Sequence, residues 1–132
     1  MIGKFISKTD VKRERLDWGA LGWFSSPEAS NAKDLVVLEV SLSPGGGHNF
    51  HKHPRQEEVI YVIEGEIEQW LDRKKQMLGP GDSVFIEADV VHASFNVSHV
   101  NAKLLAILGP CIGTAGYELV DVAAQEPWAS LR

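Results

Sequence analysis

Twelve glycines and six prolines punctuate this 132-residue chain, breaking much of it into short segments of roughly ten residues. Few of those segments are long enough for a sustained helix, which constrains the fold more than any other feature. The runs between the breakers are rich in Val, Ile, Leu and aromatics: "DLVVLEVSL" (34–42), "EVIYVIEG" (58–65), "EIEQWL" (66–71), "DSVFIEA" (82–88), "HASFNV" (92–97) and "KLLAILG" (103–109). Residue types that suit a pleated, half-buried surface, in runs of this length, read as strands. "SPGGG" (43–47), "DRKKQ" (72–76), "GPGD" (79–82) and "SHVN" (98–101) read as the turns between them. "SSPEASNAKD" (25–34) is the one polar stretch long enough for a loop or a helical turn. Many short strands at this spacing predict an all-β sandwich or barrel.

Bulk properties bound the rest. A chain of this length is expected to form one domain, 1–132, and to bury roughly two-thirds of its unfolded surface. One cysteine, Cys111, allows no internal disulfide and fits a reducing compartment. The first 30 residues carry charges throughout and no run approaches the ~20 apolar residues that span a bilayer, so a cytoplasmic location and no membrane partner are expected. The net charge is −5, and "VKRER" and "DRKKQ", each only a few residues long, read as solvated turns or strand edges rather than nucleic-acid patches, so no nucleic-acid partner is expected.

The densest chemistry lies in "HNFHKHPRQEEVIYVIEG" (48–65), which holds three of the five histidines. His51 and His53 are two apart, so on a strand both imidazoles point to one face. Pro54 then favours a turn, and an antiparallel return would set a glutamate opposite the two histidines. Glu58 shares a face with Ile60 and Val62, whereas Glu57 falls with Val59, Tyr61 and Ile63; parity therefore favours Glu58 unless a bulge intervenes. His92 opens the strand after "EADVV" and supplies a third imidazole. Three imidazoles and a carboxylate make a mixed N/O set suited to Fe, Mn, Ni, Cu or Zn, with open positions for water, dioxygen or substrate. His48, three residues before His51, falls on the opposite strand face, and His99 sits in a polar turn; neither is expected to be a ligand.

Other constellations fail. There is no G-x-S-x-G, and "GGGHNF" lacks the lysine and serine of a phosphate-binding loop. Cys111 has no evident base and reads as a buried structural thiol. The tail "GYELVDVAAQEPW" reads as one more strand and a segment packing Trp128.

The pattern resembles the cupin superfamily, whose motifs are G-x5-H-x-H-x3-4-E-x6-G and G-x5-P-x-G-x2-H-x3-N. Gly45, His51, His53, Glu58 and Gly65 match the first; Gly81, His92 and Asn96 match the second. Glu87 stands where the family usually has proline and Asp89 where it has glycine. The resemblance covers about residues 36–109 and is nearest to small single-domain proteins of the quercetin dioxygenase-like group. It implies a jelly-roll β-barrel with a metal held inside by His51, His53, Glu58 and His92. Asn96 would orient its loop or face the pocket, and Gly65 would serve a turn. A homodimer, by strand exchange or sheet packing, is also implied.

On this reading the chain is expected to act on a small chelating organic substrate, as a metal-dependent dioxygenase, with Glu58 in a second role as base and its pKa raised by burial. Trp18, Trp23, Phe24, Phe50, Trp70 and Phe95 are candidates to line an apolar pocket. The alternatives are an isomerase or lyase acting on a sugar or keto acid, for which Lys52 and Arg55 are not in a clear phosphate-binding arrangement, and a non-catalytic ligand-binding barrel.

Overall fold

The computed structural model describes residues 2–132 as two antiparallel sheets facing each other. In chain order the elements are β1 (Lys12–Leu16), β2 (Gly19–Ser25), α1 (Pro27–Ser30), β3 (Val36–Leu42), β4 (Gly47–Lys52), β5 (Glu57–Glu64), β6 (Ile67–Leu71), β7 (Lys74–Leu78), β8 (Ser83–Ile86), β9 (His92–Phe95), β10 (Ala102–Gly109) and β11 (Val120–Asp121), with a 3-10 turn at Trp128–Ser130. Six strands form one sheet in the order β1-β2-β3-β10-β5-β8, and five form the other in the order β11-β4-β9-β6-β7. The all-β jelly-roll barrel expected from the sequence is the fold observed.

Alternation builds the interior. β3 and β10 bury every second residue, so Val36, Leu38, Val40 and Leu42 meet Leu104, Ala106 and Leu108 between the sheets, joined by Ile60, Val62, Ile67 and Ile86. Each such Val, Leu or Ile side chain contributes on the order of 1.5–3 kcal/mol by leaving water. The inward face of the five-stranded sheet is different: His51, Gln69, His92 and Ser94 are buried there, with Ser94 Oγ donating to Gln69 Oε1 at 2.6 Å. Its outward residues Phe50, Trp70, Ala93 and Phe95 form a second apolar cluster, covered by Val122, Trp128 and Leu131 of the chain's own C-terminal segment. The tail thus packs Trp128 as expected, after a strand of only two residues.

Two expectations need correction. "DRKKQ" is not a breaker throughout: Asp72 and Arg73 make the turn, and Lys74–Leu78 is a strand paired with β6. It lies at the sheet edge with its charged side chains exposed, a pattern that protects edges from further pairing and hides a strand from hydrophobic periodicity. Residues 12–25, where only "VKRER" (11–15) reads as a turn or strand edge, form the β1–β2 hairpin that extends the six-stranded sheet beside β3, with β1 at its edge.

The turns agree with the glycine positions. Gly65 has φ +75°, and a Cβ there would lie 2.7 Å from the Asn101 carbonyl oxygen. Asp89, in the place of the usual glycine, also adopts the left-handed region at φ 69°, which Asp tolerates better than most residues. It pairs with Lys52 at 3.0 Å while its N–H donates to the His53 carbonyl. Asn96 orients its loop: Nδ2 donates to the Leu42 and Val100 carbonyls, and Oδ1 accepts from the N–H and hydroxyl of Ser98.

Candidate metal centre

His51 and His92 are direct partners on β4 and β9, and His53 follows at the end of β4. All three are buried, and one ring nitrogen from each lies within 4.8 Å of the others, an arrangement that can hold a metal ion. Every ring is fixed from behind. The Nδ1 atoms lie 2.7 Å from the Asn49 carbonyl (His51), 2.7 Å from the Glu118 carbonyl (His53) and 3.0 Å from the Val90 carbonyl (His92). A carbonyl only accepts, so each Nδ1 carries a hydrogen and each ring turns its Nε2 to the cavity, where a neutral ring would offer a lone pair. That is how metal-binding imidazoles are commonly oriented.

Glu58 reaches the cluster by a route other than the one expected. β5 does not pair with β4; Glu58 is flanked by Leu108 and Ile86 in the six-stranded sheet and extends across the interior. Its strand-face parity is nevertheless as read, with Glu58 and Ile60 buried and Glu57 exposed. Glu58 Oε1 lies 2.8 Å from His92 Nε2 and 3.4 Å from His53 Nε2. Among the described residues, neither Glu58 Oε1 nor His92 Nε2 makes a hydrogen bond, although both are buried. A buried carboxylate oxygen and imidazole nitrogen at this distance need a cation between them, a proton or a metal ion, and a metal ion would satisfy both. The donor set therefore fits a divalent transition ion, with no thiolate to favour a structural zinc site.

Electrostatics support neutral imidazoles in the His48–His51 pair. Burial, reinforced by neighbouring rings, holds His51 well below the usual histidine range. Burial likewise pushes His48 down to about 4. For His53, burial acts downward, but Glu58 and the Glu118 carbonyl outweigh it and the net shift is upward. Glu58 corrects an expectation: burial alone would raise its carboxyl, but the closeness of His53 and His92 outweighs burial and keeps it well below the usual carboxylate range.

His48 is the residue that strand parity misplaced. Between His48 and His51, β4 carries one more residue than its partner β9, a bulge that returns His48 to the inner face. Its ring stacks on His51 at 3.7 Å between centroids and on Trp18 at 5.4 Å, walling the cavity rather than joining the three-nitrogen cluster. His99 is exposed in its turn.

His51, His53 and Glu58 lie at one side of a cavity of about 260 Å³, with His92 buried beside them; its other walls are Leu16, Trp18, Leu21, Leu38, Val40, Ala106, Leu108, Tyr117, His48 and Glu14. Of the six aromatics proposed as lining, only Trp18 is there. Phe50, Trp70 and Phe95 lie in the outer cluster, Trp23 packs on Tyr117 at 5.7 Å, and Phe24 lies in a separate surface groove. Strand parity excludes the first group, since each neighbours an inward-facing residue. Tyr117 and Glu14 carry no motif, and only the folded chain brings them to the cavity. Lys52 and Arg55 do not line it; Arg55 pairs with Glu118 at 3.0 Å.

Residues 38–108 match the family model described as "Cupin domain". The polyketide synthase CurC of Streptomyces cyaneus is 31% identical over 121 residues, covering 92% of this chain and 79% of that protein. Quercetin 2,3-dioxygenase of Bacillus subtilis is 32% identical over 81 residues, covering 61% of this chain but 24% of that protein. The structure of the polyketide cyclase RemF from Streptomyces resistomycificus superposes with a TM-score of 0.73 at 24% identity, covering 97% of both chains, a likeness of fold.

Proposed function

The chain belongs to the cupin domain family, and from that premise we propose that it is a metal-dependent enzyme acting on a small, largely apolar substrate with enolisable carbonyls, of the polyketide type. The observation that carries this is the composition of the cavity: His51, His53 and Glu58 at one side with His92 beside them, mostly apolar walls broken by His48, Tyr117 and Glu14 elsewhere, and among the described residues no lysine or arginine lining it. Such a wall disfavours phosphorylated sugars and small dianions, which need converging cations. About 260 Å³ is less than the usual ~300–1,000 Å³ of a ligand pocket and suits a small molecule or one end of a longer one. The similarity to CurC along most of the chain favours the same class.

In this reading His51, His53 and His92 hold a divalent transition ion, with Glu58 as its fourth ligand. The ion, when bound, supplies Lewis-acid polarisation of a substrate carbonyl. Glu58, ionised, would take a proton from the carbon next to a substrate carbonyl and return one to carbon to complete the exchange. Leu38, Val40 and Leu108 keep water from the reacting end. His48 and Tyr117 are polar groups on the wall that can orient the substrate's remaining oxygens.

A dioxygenase is the second reading, favoured by the similarity to quercetin 2,3-dioxygenase over the barrel. One experiment separates the two. The protein, loaded in turn with Fe, Mn, Ni, Cu or Zn, is incubated in deuterated buffer with an aryl β-diketone while NMR and an oxygen electrode record the products. Glu58-dependent deuterium incorporation without oxygen uptake supports the first reading, oxygen uptake with turnover supports the second, and neither contradicts both.

We further read the chain as a cytoplasmic homodimer. No helix among the described residues is long and apolar enough to cross a membrane. The outer face of the six-stranded sheet exposes Tyr61 at 42%, Ile63 at 38% and Phe85 at 53%, whereas the other sheet is covered by its own C-terminal segment.

A further inference from the structure

Gln56 is 1% exposed, sits between two residues of the metal motif, and has no role in the chemistry described so far. Burying an unsatisfied amide is costly, and Gln56 is fully engaged. Its Nε2 donates to the Pro110 carbonyl at 2.7 Å and the Gly116 carbonyl at 3.0 Å, and its Oε1 accepts from the Glu118 N–H at 3.0 Å. One side chain therefore ties three points of the segment 110–118, which lies beyond the last long strand and outside both metal motifs.

That segment touches the site twice. The Glu118 carbonyl, next to the N–H that Gln56 holds, receives the His53 Nδ1–H at 2.7 Å. Tyr117 meets His53 edge to face, with centroids 5.9 Å apart, and walls the cavity. His51 and His92 are oriented by carbonyls two residues away on their own chain segments, whereas the carbonyl orienting His53 lies 65 residues away. A long-range contact of this kind has to be held in place by something else.

We propose that Gln56 is a positioning residue of the metal centre: through segment 110–118 it fixes the Glu118 carbonyl that sets the His53 ring, and with it the Tyr117 wall. This rests on the reading of His53 as a metal ligand. Loss of a partner that orients a ligand commonly weakens metal affinity about 10- to 100-fold.

The test uses Co(II) as probe with the full chain. Affinity is measured by competition with a chelating indicator, ligand geometry by the visible d–d spectrum, and folding by thermal unfolding. Gln56→Leu should unfold cooperatively, bind Co(II) about 10- to 100-fold more weakly and show an altered spectrum. Leu131→Ala, which loosens the outer cluster on the other sheet, should lower the Tm and leave the Co(II) affinity and spectrum as in wild type. If Gln56→Leu does not fold, Gln56→Glu, which keeps the acceptor for the Glu118 N–H and loses both donors, is read in the same way. Wild-type affinity and spectrum in the Gln56 variant that folds would overturn the proposal. Failure of the wild type to bind Co(II) would overturn the metal reading itself, and this inference with it.

Discussion

Glu58 Oε1 and His92 Nε2 meet at 2.8 Å from opposite sheets, both buried and, among the described residues, neither hydrogen-bonded. The fold pairs Glu58 with Leu108 and Ile86 on one side and His92 with His51 on the other, so the two sheets together bring these acceptors into contact. A divalent ion held by both atoms would satisfy this contact. Glu58→Gln places an amide donor beside His92 Nε2 and removes the charge. The metal-free Tm should stay within about 3 °C of wild type, a shift worth roughly 1 kcal/mol or less in a domain of this size. Metal in ~100-fold excess over Kd should stabilise wild type by about 2.7 kcal/mol and the variant by far less. Differential scanning calorimetry with and without metal checks both; equal metal-induced shifts would remove Glu58 from the ligand set.

Asp89 should tolerate glycine and reject β-branched residues. Asp89→Gly relieves the left-handed backbone and loses the Lys52 contact, so the net change should stay within about 1 kcal/mol. Asp89→Val should cost about 1–2 kcal/mol or more, because its Cβ branch crowds that conformation. Urea unfolding of the two variants gives the comparison; equal stability would show that the backbone at 89 relaxes freely.

The C-terminal cover should weaken in acid. Glu68 accepts from Trp70 Nε1 at 2.8 Å and from Arg132 Nε at 3.0 Å, and Arg132 lies 3.7 Å from the Phe95 ring centroid. Burial acts upward on the Glu68 carboxyl, but Trp70 and Arg132 prevail and the net shift is downward. A lowered folded value means that the contribution is present above the unfolded carboxylate range and is lost as pH falls through the folded value. Glu68→Gln should therefore cost a few tenths of a kcal/mol at pH 7, screened by salt, and nothing in strong acid. Melting curves across that pH range decide it; a constant difference would contradict the assignment.

The exposed sheet face gives a fourth expectation. Sedimentation equilibrium should return twice the chain mass for wild type and a monomer for Phe85→Glu with Tyr61→Glu, both charges standing on a face that would otherwise be buried. A monomeric wild type would remove the dimer.

How much of this was legible in the sequence depends on how each residue is positioned. β3, β5 and β10 bury alternate residues, so their period is written in the chain. β1 buries almost nothing and β7 only Leu78, so neither leaves a period to read. Glu58 was placed on the correct face by parity and against the wrong strand, since pairing partners are not local information. His48 was lost to one extra residue in β4, a bulge that no spacing rule announces. Tyr117 and Gln56 act through a segment that joins the site only once the barrel has closed.

The central claim is that the three imidazoles and Glu58 hold one transition metal ion. The most direct measurement is metal content by elemental mass spectrometry, on untagged protein purified without added metal or chelator, beside a His51→Ala/His92→Ala variant whose fold is checked by circular dichroism. The expected result is close to one Fe, Mn, Ni, Cu or Zn ion per wild-type chain and none in the folded variant. Equal metal content in the two proteins, or none in either after reconstitution with each ion in turn, would contradict it.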